Sequence, residues 1–302
     1  MALNVRIGIN PISWSNDDLP ELGGETPLET ALSEGAEIGY QGFELGNKFP
    51  REPAALKAKL AEFKVACVSG WYSGHLAVSD LATEIANCQA HMDKLAFNGC
   101  RVVVYGEVGG SIQGQIQTPL FKRPRFLTSR DWQAYADRLN QFGQHLKKTY
   151  GLTLAYHHHM GAFVQAGEDI DQLMALTDGE HVGLLFDTGH AWFGGVEDVA
   201  GLLQKHIHRV VHFHCKDVRK SVIAKARNEN WSFLQSVLNG AFTVPGDGGI
   251  DFAPIMAVLN QANYQGWLVV EAEQDPAVAP SYDYAKKGYN TIRSLVDHYQ
   301  GR

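Results

Sequence analysis

Four segments place carboxylates and imidazoles at the end of a short apolar run: Tyr156-His157-His158-His159, Phe186-Asp187-Thr188-Gly189-His190, His212-Phe213-His214-Cys215-Lys216-Asp217 and Val270-Glu271-Ala272-Glu273. Such oxygen and nitrogen donors suit a divalent cation, and four sets at successive strand ends predict one shared metal site at one face of a parallel barrel. Asp187, His214 and Glu271 are the expected ligands, joined by His157 or His159, which share one side of their strand. His190, three residues after Asp187, and Lys216, two after His214, are expected to act in catalysis, one as acid and one as base, in an order left open. Of His212 and His214 only one is expected to face the barrel interior. His214, nearer the strand end, takes that place, and His212 is read as a structural histidine bonded to a carbonyl. Asp187 has a second reading as the cap of a following helix. The residues expected to touch substrate are Glu273, which shares a face with Glu271, Glu44 at the end of an earlier apolar run, and Arg219 beside Lys216. Trp14, Trp71 and His75 join them, as rings that would wall a polyol.

Residues so far apart can meet only if repeated elements carry them to one place. Strand-like runs alternate with segments of helical period along the whole chain, and eight strands are predicted, near Val5 to Asn10, Gly42 to Leu45, Val65 to Trp71, Arg101 to Gly106, Leu152 to His157, Val182 to Asp187, Arg209 to His214 and Trp267 to Glu271. Between them, Thr26 is expected to cap a helix with Pro27 in its first position. Thr128 opens another, whose stripe Trp132, Tyr135, Ala136, Leu139, Phe142 and Leu146 should face a sheet. A last helix is expected over Tyr282 to Tyr299. No linker interrupts the alternation, so residues 1–302 read as one α/β domain, a (β/α)8 TIM barrel. Its long loops, Glu107 to Leu127 after the fourth strand and Asp217 to Gly249 after the seventh, should lie over the site, the second with a helix around Trp231 to Leu238.

Composition removes several classes of function. The net charge of -7, from 26 Lys and Arg against 33 Asp and Glu, repels a phosphate backbone, so no nucleic acid partner is expected. No apolar run reaches the roughly 20 residues that span a bilayer, and no membrane partner is expected. The N-terminus lacks an apolar signal region, and Cys67, Cys88, Cys100 and Cys215 lack zinc-knuckle spacing; reduced thiols in the cytoplasm are the expectation. The Asn230-Trp231-Ser232 sequon is read as a chance match. Phosphate-loop and nucleophile-elbow motifs are absent, and the glycine-rich stretch Tyr105 to Gly110 lacks dinucleotide spacing.

Taken in order, the stretches Gly8 to Asp17, Gly39 to Gly46, Ser69 to Ser73, Phe186 to His190, His214 to Arg219 and Phe242 to Phe252 resemble the xylose isomerase-like superfamily of metal-dependent barrels, and within it the inosose dehydratase family. The resemblance implies loss of water from scyllo-inosose to give a trihydroxycyclohexane dione, in myo-inositol breakdown. It also implies a requirement for manganese or cobalt, and glutathione as a further cofactor. The superfamily's Asp, His and last Glu ligands carry over as Asp187, His214 and Glu271, whereas the fifth-strand Glu is replaced by His157 or His159. Imidazole in place of carboxylate moves the preference from magnesium toward manganese, cobalt or zinc. The expected partner is a small cyclic keto-polyol, with a homo-oligomer as a further expectation. The alternative reading is a keto-polyol isomerase or epimerase on the same barrel, which needs the same enolate without loss of water. An endonuclease IV-like repair enzyme is disfavoured by the acidic balance, and a non-catalytic polyol-binding barrel is the remaining rival.

Overall fold

The computed structural model describes residues 3–300. Among them ten strands form: β1 (Asn4–Ile9), β2 (Gly42–Leu45), β3 (Ala66–Gly74), β4 (Val102–Glu107), β5 (Thr153–His157), β6 (Val182–Asp187), β7 (Val210–Cys215), β8 (Asp217–Val218), β9 (Phe242–Thr243) and β10 (Gln265–Val270). Eight close into a barrel in the order β1-β10-β7-β6-β5-β4-β3-β2, every pair parallel. They are the eight predicted strands, shifted at their ends by a few residues. The other two, β8 and β9, form an antiparallel pair at the mouth.

Alternation along each strand divides the side chains between two environments. Outward residues such as Val103, Tyr105, Leu154, Tyr156, Leu184, Phe186, Leu268 and Val270 pack under the surrounding helices in one large core. Inward residues at the N-terminal end are also apolar: Val102, Val104, Ala155 and Leu185 pack with Val211, and Val68, Trp267 and Val269 form a second group. The barrel is therefore a filled interior, as eight-stranded closure requires.

The helices start where local chemistry allows. Thr128 and Asp131 form a reciprocal capping box at the head of Ser129–Tyr150, whose buried face carries Tyr135, Ala136, Leu139, Phe142 and Leu146. Thr26 does not cap: the helix Leu28–Ile38 begins one residue later than expected, with Pro27 at the cap position and no side-chain bond. The last helix runs Ser281–Gln300. The excursion after β7 holds the expected helix, Phe233–Leu238, and an unpredicted one, Lys220–Asn228. Its root is fastened by Asp217, whose carboxylate accepts from the backbone N–H groups of Val218, Gly246, Gly248 and Ile250. The excursion after β4 is tied down by Arg123, which pairs with Asp169 at 2.7 Å and donates to the Phe163 carbonyl at 2.8 Å.

Candidate metal centre

One inward position further along the same strands, the residue types change. His157 ends β5, Asp187 ends β6, His214 lies at the end of β7 and Glu271 follows β10, and one donor atom from each lies within 4.8 Å of all the others. Each is held by a bond that leaves one donor free. His157 Nδ1–H donates to the His158 carbonyl at 2.6 Å, so its Nε2 lone pair faces Asp187 Oδ2, 3.7 Å away. The Asp187 backbone N–H donates to His158 Nε2 at 3.2 Å, and its Oδ1 accepts from the His190 N–H at 2.8 Å, capping the helix Thr188–Phe193. The capping reading of Asp187 thus holds on Oδ1, and Oδ2 is left facing the other three donors. His214 turns Nε2 to Glu44 at 3.1 Å and Nδ1 toward Asp187 Oδ2 at 3.5 Å, with Glu271 Oε2 in contact.

All four residues are buried, and Asp187 Oδ2, His214 Nδ1 and Glu271 Oε2 have no hydrogen-bond partner. Converging orphaned donors in a buried place cost folding free energy unless something positive sits between them. Two imidazoles and two carboxylates fit a divalent cation. Burial pushes the Asp187 carboxyl up, but Lys216, His214 and His157 outweigh it and hold it well below the usual range. Burial lowers His214, yet Glu271 and Glu44 raise it well above an ordinary histidine, so without a cation a proton supplies part of the missing charge.

Lys216 extends this centre toward a second cluster. Its Nζ lies 3.3 Å from Asp187 Oδ2, 3.1 Å from Glu271 Oε1 and 2.9 Å from Glu273 Oε1. Burial works against its charge, but those three carboxylates raise its pKa above that of a free lysine, so it is an ammonium. Gly189 makes this possible, because a Cβ there would come within 2.6 Å of Lys216 Cγ. His159, His190 and Glu273 group together beside it. His159 therefore lies outside the four-donor set that holds His157. His190 Nδ1 accepts from the Met160 N–H at 3.3 Å and its Nε2 is 3.5 Å from Glu273 Oε1, one layer behind the cavity wall. Burial, with Glu271 nearby, pushes Glu273 up to about 7.

The centre opens on a cavity of about 380 Å³ whose lining includes Asn10, Asp18, Trp71, His157, His159, Glu271 and Glu273. Trp71 and Glu273 are where they were expected. The other expected substrate contacts are not on this wall. Trp14 is buried in the outer core, donating Nε1–H to Glu34 at 2.6 Å and packing on Phe43. His75 is exposed beyond β3, away from the lining. Arg219 bonds the Gly240 and Phe242 carbonyls and Asp247, which makes it a brace for the β8–β9 pair. Glu44 lies beneath the centre, bonded by Asn10, His212 and His214. His212 also faces inward, because residues two apart share a strand face and the bulge at Val211 shifts the register by one, pairing His212 with the inward Leu185 and His214 with Asp187. Its partner is the Glu44 carboxylate at 2.6 Å, not a carbonyl. Sequence reasoning missed the lining residues Asn10, Asp17, Asp18, Arg51, His91 and Lys94, which loops and a helix supply. The Asn16-Asp17-Asp18 run just past β1 was their one readable signal. A separate cavity of about 330 Å³ near Phe121 and Trp231 contains none of the cation-facing groups.

Residues 32–295 match the model of the xylose isomerase-like TIM barrel family, and the chain belongs to that family. Solved structures agree on the fold: the IOLI protein with a binding zinc atom superposes with a TM-score of 0.71 at 14% identity, covering 98% of this chain and 99% of that one. L-ribulose 3-epimerase superposes with a TM-score of 0.68 at 16% identity, over 98% of this chain and 96% of that one. Sequence relatives narrow the family. The inosose dehydratase of Geobacillus thermodenitrificans is 47% identical over 96% of this chain and 96% of its own length. The rhizopine catabolism protein MocC of Rhizobium meliloti is 47% identical over 97% of this chain and 89% of its own length. Within the barrel family, the chain belongs with the inosose dehydratases.

Proposed function

We propose that this protein removes water from scyllo-inosose, a six-membered cyclic ketone bearing five hydroxyls, to give a trihydroxycyclohexane-1,2-dione. The observation that carries this reading is the four-donor cation set of His157, Asp187, His214 and Glu271 opening, beside Glu273, on a cavity sized for a small polyol. The identity to inosose dehydratases supports the substrate. A divalent cation held by those four residues would supply Lewis acidity at the ketone oxygen and acidify the neighbouring C–H. Manganese or cobalt suits the mixed donor set, with zinc as the third choice. Glutathione enters on the resemblance alone. We further place the enzyme in the cytoplasm as a homo-oligomer; among the described residues no helix is long and apolar enough to cross a membrane.

The chain's own residues handle the proton. Glu273 lines the cavity and its Oε2 has no partner, so it is the base that reaches the substrate, in place of His190. Lys216 grips Glu273 Oε1 and keeps the carboxylate oriented. The proton taken from carbon returns from Glu273 to the departing hydroxyl, which leaves as water. Trp71, its indole lying over Gly106, provides an apolar wall for the ring face; any Cβ at Gly106 would come within 2.0 Å of that indole. Elemental analysis, then incubation with inosose and added manganese, tests the proposal. The expected product absorbs in the ultraviolet and is lighter by one water, whereas a product of unchanged mass would make the protein an isomerase or epimerase.

A further inference from the structure

Glu44 sits behind the cation-facing groups and is not among the residues lining the cavity, yet three side chains converge on it, Asn10 from just past β1 and His212 and His214 from β7. Asn10 Nδ2–H donates to Glu44 Oε2 at 3.0 Å, His212 Nε2 lies 2.6 Å and His214 Nε2 3.1 Å from Glu44 Oε1. The direction of these bonds is fixed from one end. The Ile12 backbone N–H can only donate, and it donates to Asn10 Oδ1 at 3.0 Å. Asn10 is therefore locked with its NH₂ toward Glu44 Oε2, and Glu44 as a carboxylate accepts on both oxygens, so both imidazoles donate through Nε2 to Oε1. Hence the neutral form of His214 carries its lone pair on Nδ1, the atom that faces Asp187 and Glu271, and a cation bound there takes the place of the Nδ1 proton.

We propose that Asn10 and Glu44 form a one-way hydrogen-bond relay that sets the His214 tautomer and so prepares Nδ1 to bind the cation. Glu44 is thus a positioning residue and not a substrate contact. The inference rests on the reading of His157, Asp187, His214 and Glu271 as a cation site. A carboxylate behind a metal-binding imidazole fixes its orientation and raises its basicity. Replacing Glu44 with glutamine turns an NH₂ onto the NH₂ of Asn10, which cannot flip without releasing Ile12. The double variant Asn10→Asp with Glu44→Gln restores the polarity, since the introduced aspartate accepts from both Ile12 and the new amide while the glutamine oxygen still accepts from both histidines. The test is calorimetric titration of metal-free protein with Mn²⁺, after circular dichroism on each variant. Glu44→Gln is expected to bind about 10–100-fold more weakly, and the double variant to recover to within about threefold of the parent. Unfolding of Glu44→Gln with recovery of both fold and affinity in the double variant supports the same relay. Equal affinity in Glu44→Gln, or no recovery in the double variant, overturns the relay. A parent protein that binds no Mn²⁺ overturns instead the cation site on which it rests.

Discussion

The two ends of the barrel interior are built from the same strands and the same inward phase, yet they are opposite in chemistry. On β5 the inward pair is Ala155 then His157, on β6 Leu185 then Asp187, and on β10 Val269 then Glu271 just past its end. A step of two residues, roughly 7 Å of strand, separates a dry apolar plug from a cluster of buried charge. The lower end holds the strands together, and the upper end uses that rigidity to keep like-charged groups within one cation's reach. Stability and function are therefore assigned to different layers of one element. Substitutions should separate cleanly between them.

The largest effect is expected at the upper end. Asp187→Ala should lose the bound cation and lower turnover by on the order of 10³-fold or more, read by elemental analysis beside the ultraviolet assay; an active, metal-free variant would break the comparison. Next, Glu273→Gln should keep the metal and lower turnover by about 10²–10⁴-fold. The parent's activity should fall as pH drops through about 7, where Glu273 takes up a proton and ceases to be a base. The linked stability effect has the opposite sense. The folded carboxyl titrates above the unfolded one, so metal-free parent should lose stability as pH rises from about 4.5 to about 7. Glu273→Gln should flatten that dependence in thermal unfolding.

At the lower end the signature reverses. Leu185→Ala, in the apolar plug, should cost about 2–5 kcal/mol in urea unfolding while the folded protein keeps its metal content. The smallest effect is expected outside the barrel, where Thr128→Ala removes a capping box and should cost about 1 kcal/mol, with turnover unchanged. A loss of cation affinity in Leu185→Ala would show that the two layers are coupled after all.

Much of the site was legible because the barrel writes its function at strand ends. An apolar alternation that stops on Asp187 or Glu271 marks both the element and its cargo. What failed was non-local. Glu44 has the same strand-end signature as the candidate ligands, and only its spatial partners Asn10, His212 and His214 show that it lies beneath the centre. Trp14, His75 and Arg219 follow strands in sequence, but loop packing turns each of them elsewhere. His190 reads as a site residue through its spacing from Asp187, yet its ring lies behind Glu273, a depth that spacing does not encode. The cavity-facing Arg51, His91 and Lys94 come from elements whose pattern reads as ordinary polar surface.

The knot at Asp217 has an implication for how this scaffold can change. Four amide hydrogens on one carboxylate clamp both ends of the excursion that begins beside Lys216. Because lengthening a closed loop carries only a slowly growing entropic cost, the turn at Glu229 and Asn230 between the two helices of the excursion can take insertions while the ammonium next to the clamp stays in register, provided that Phe233 keeps its packing on His159 and His190. That segment is the natural place to graft new selectivity onto the existing chemistry.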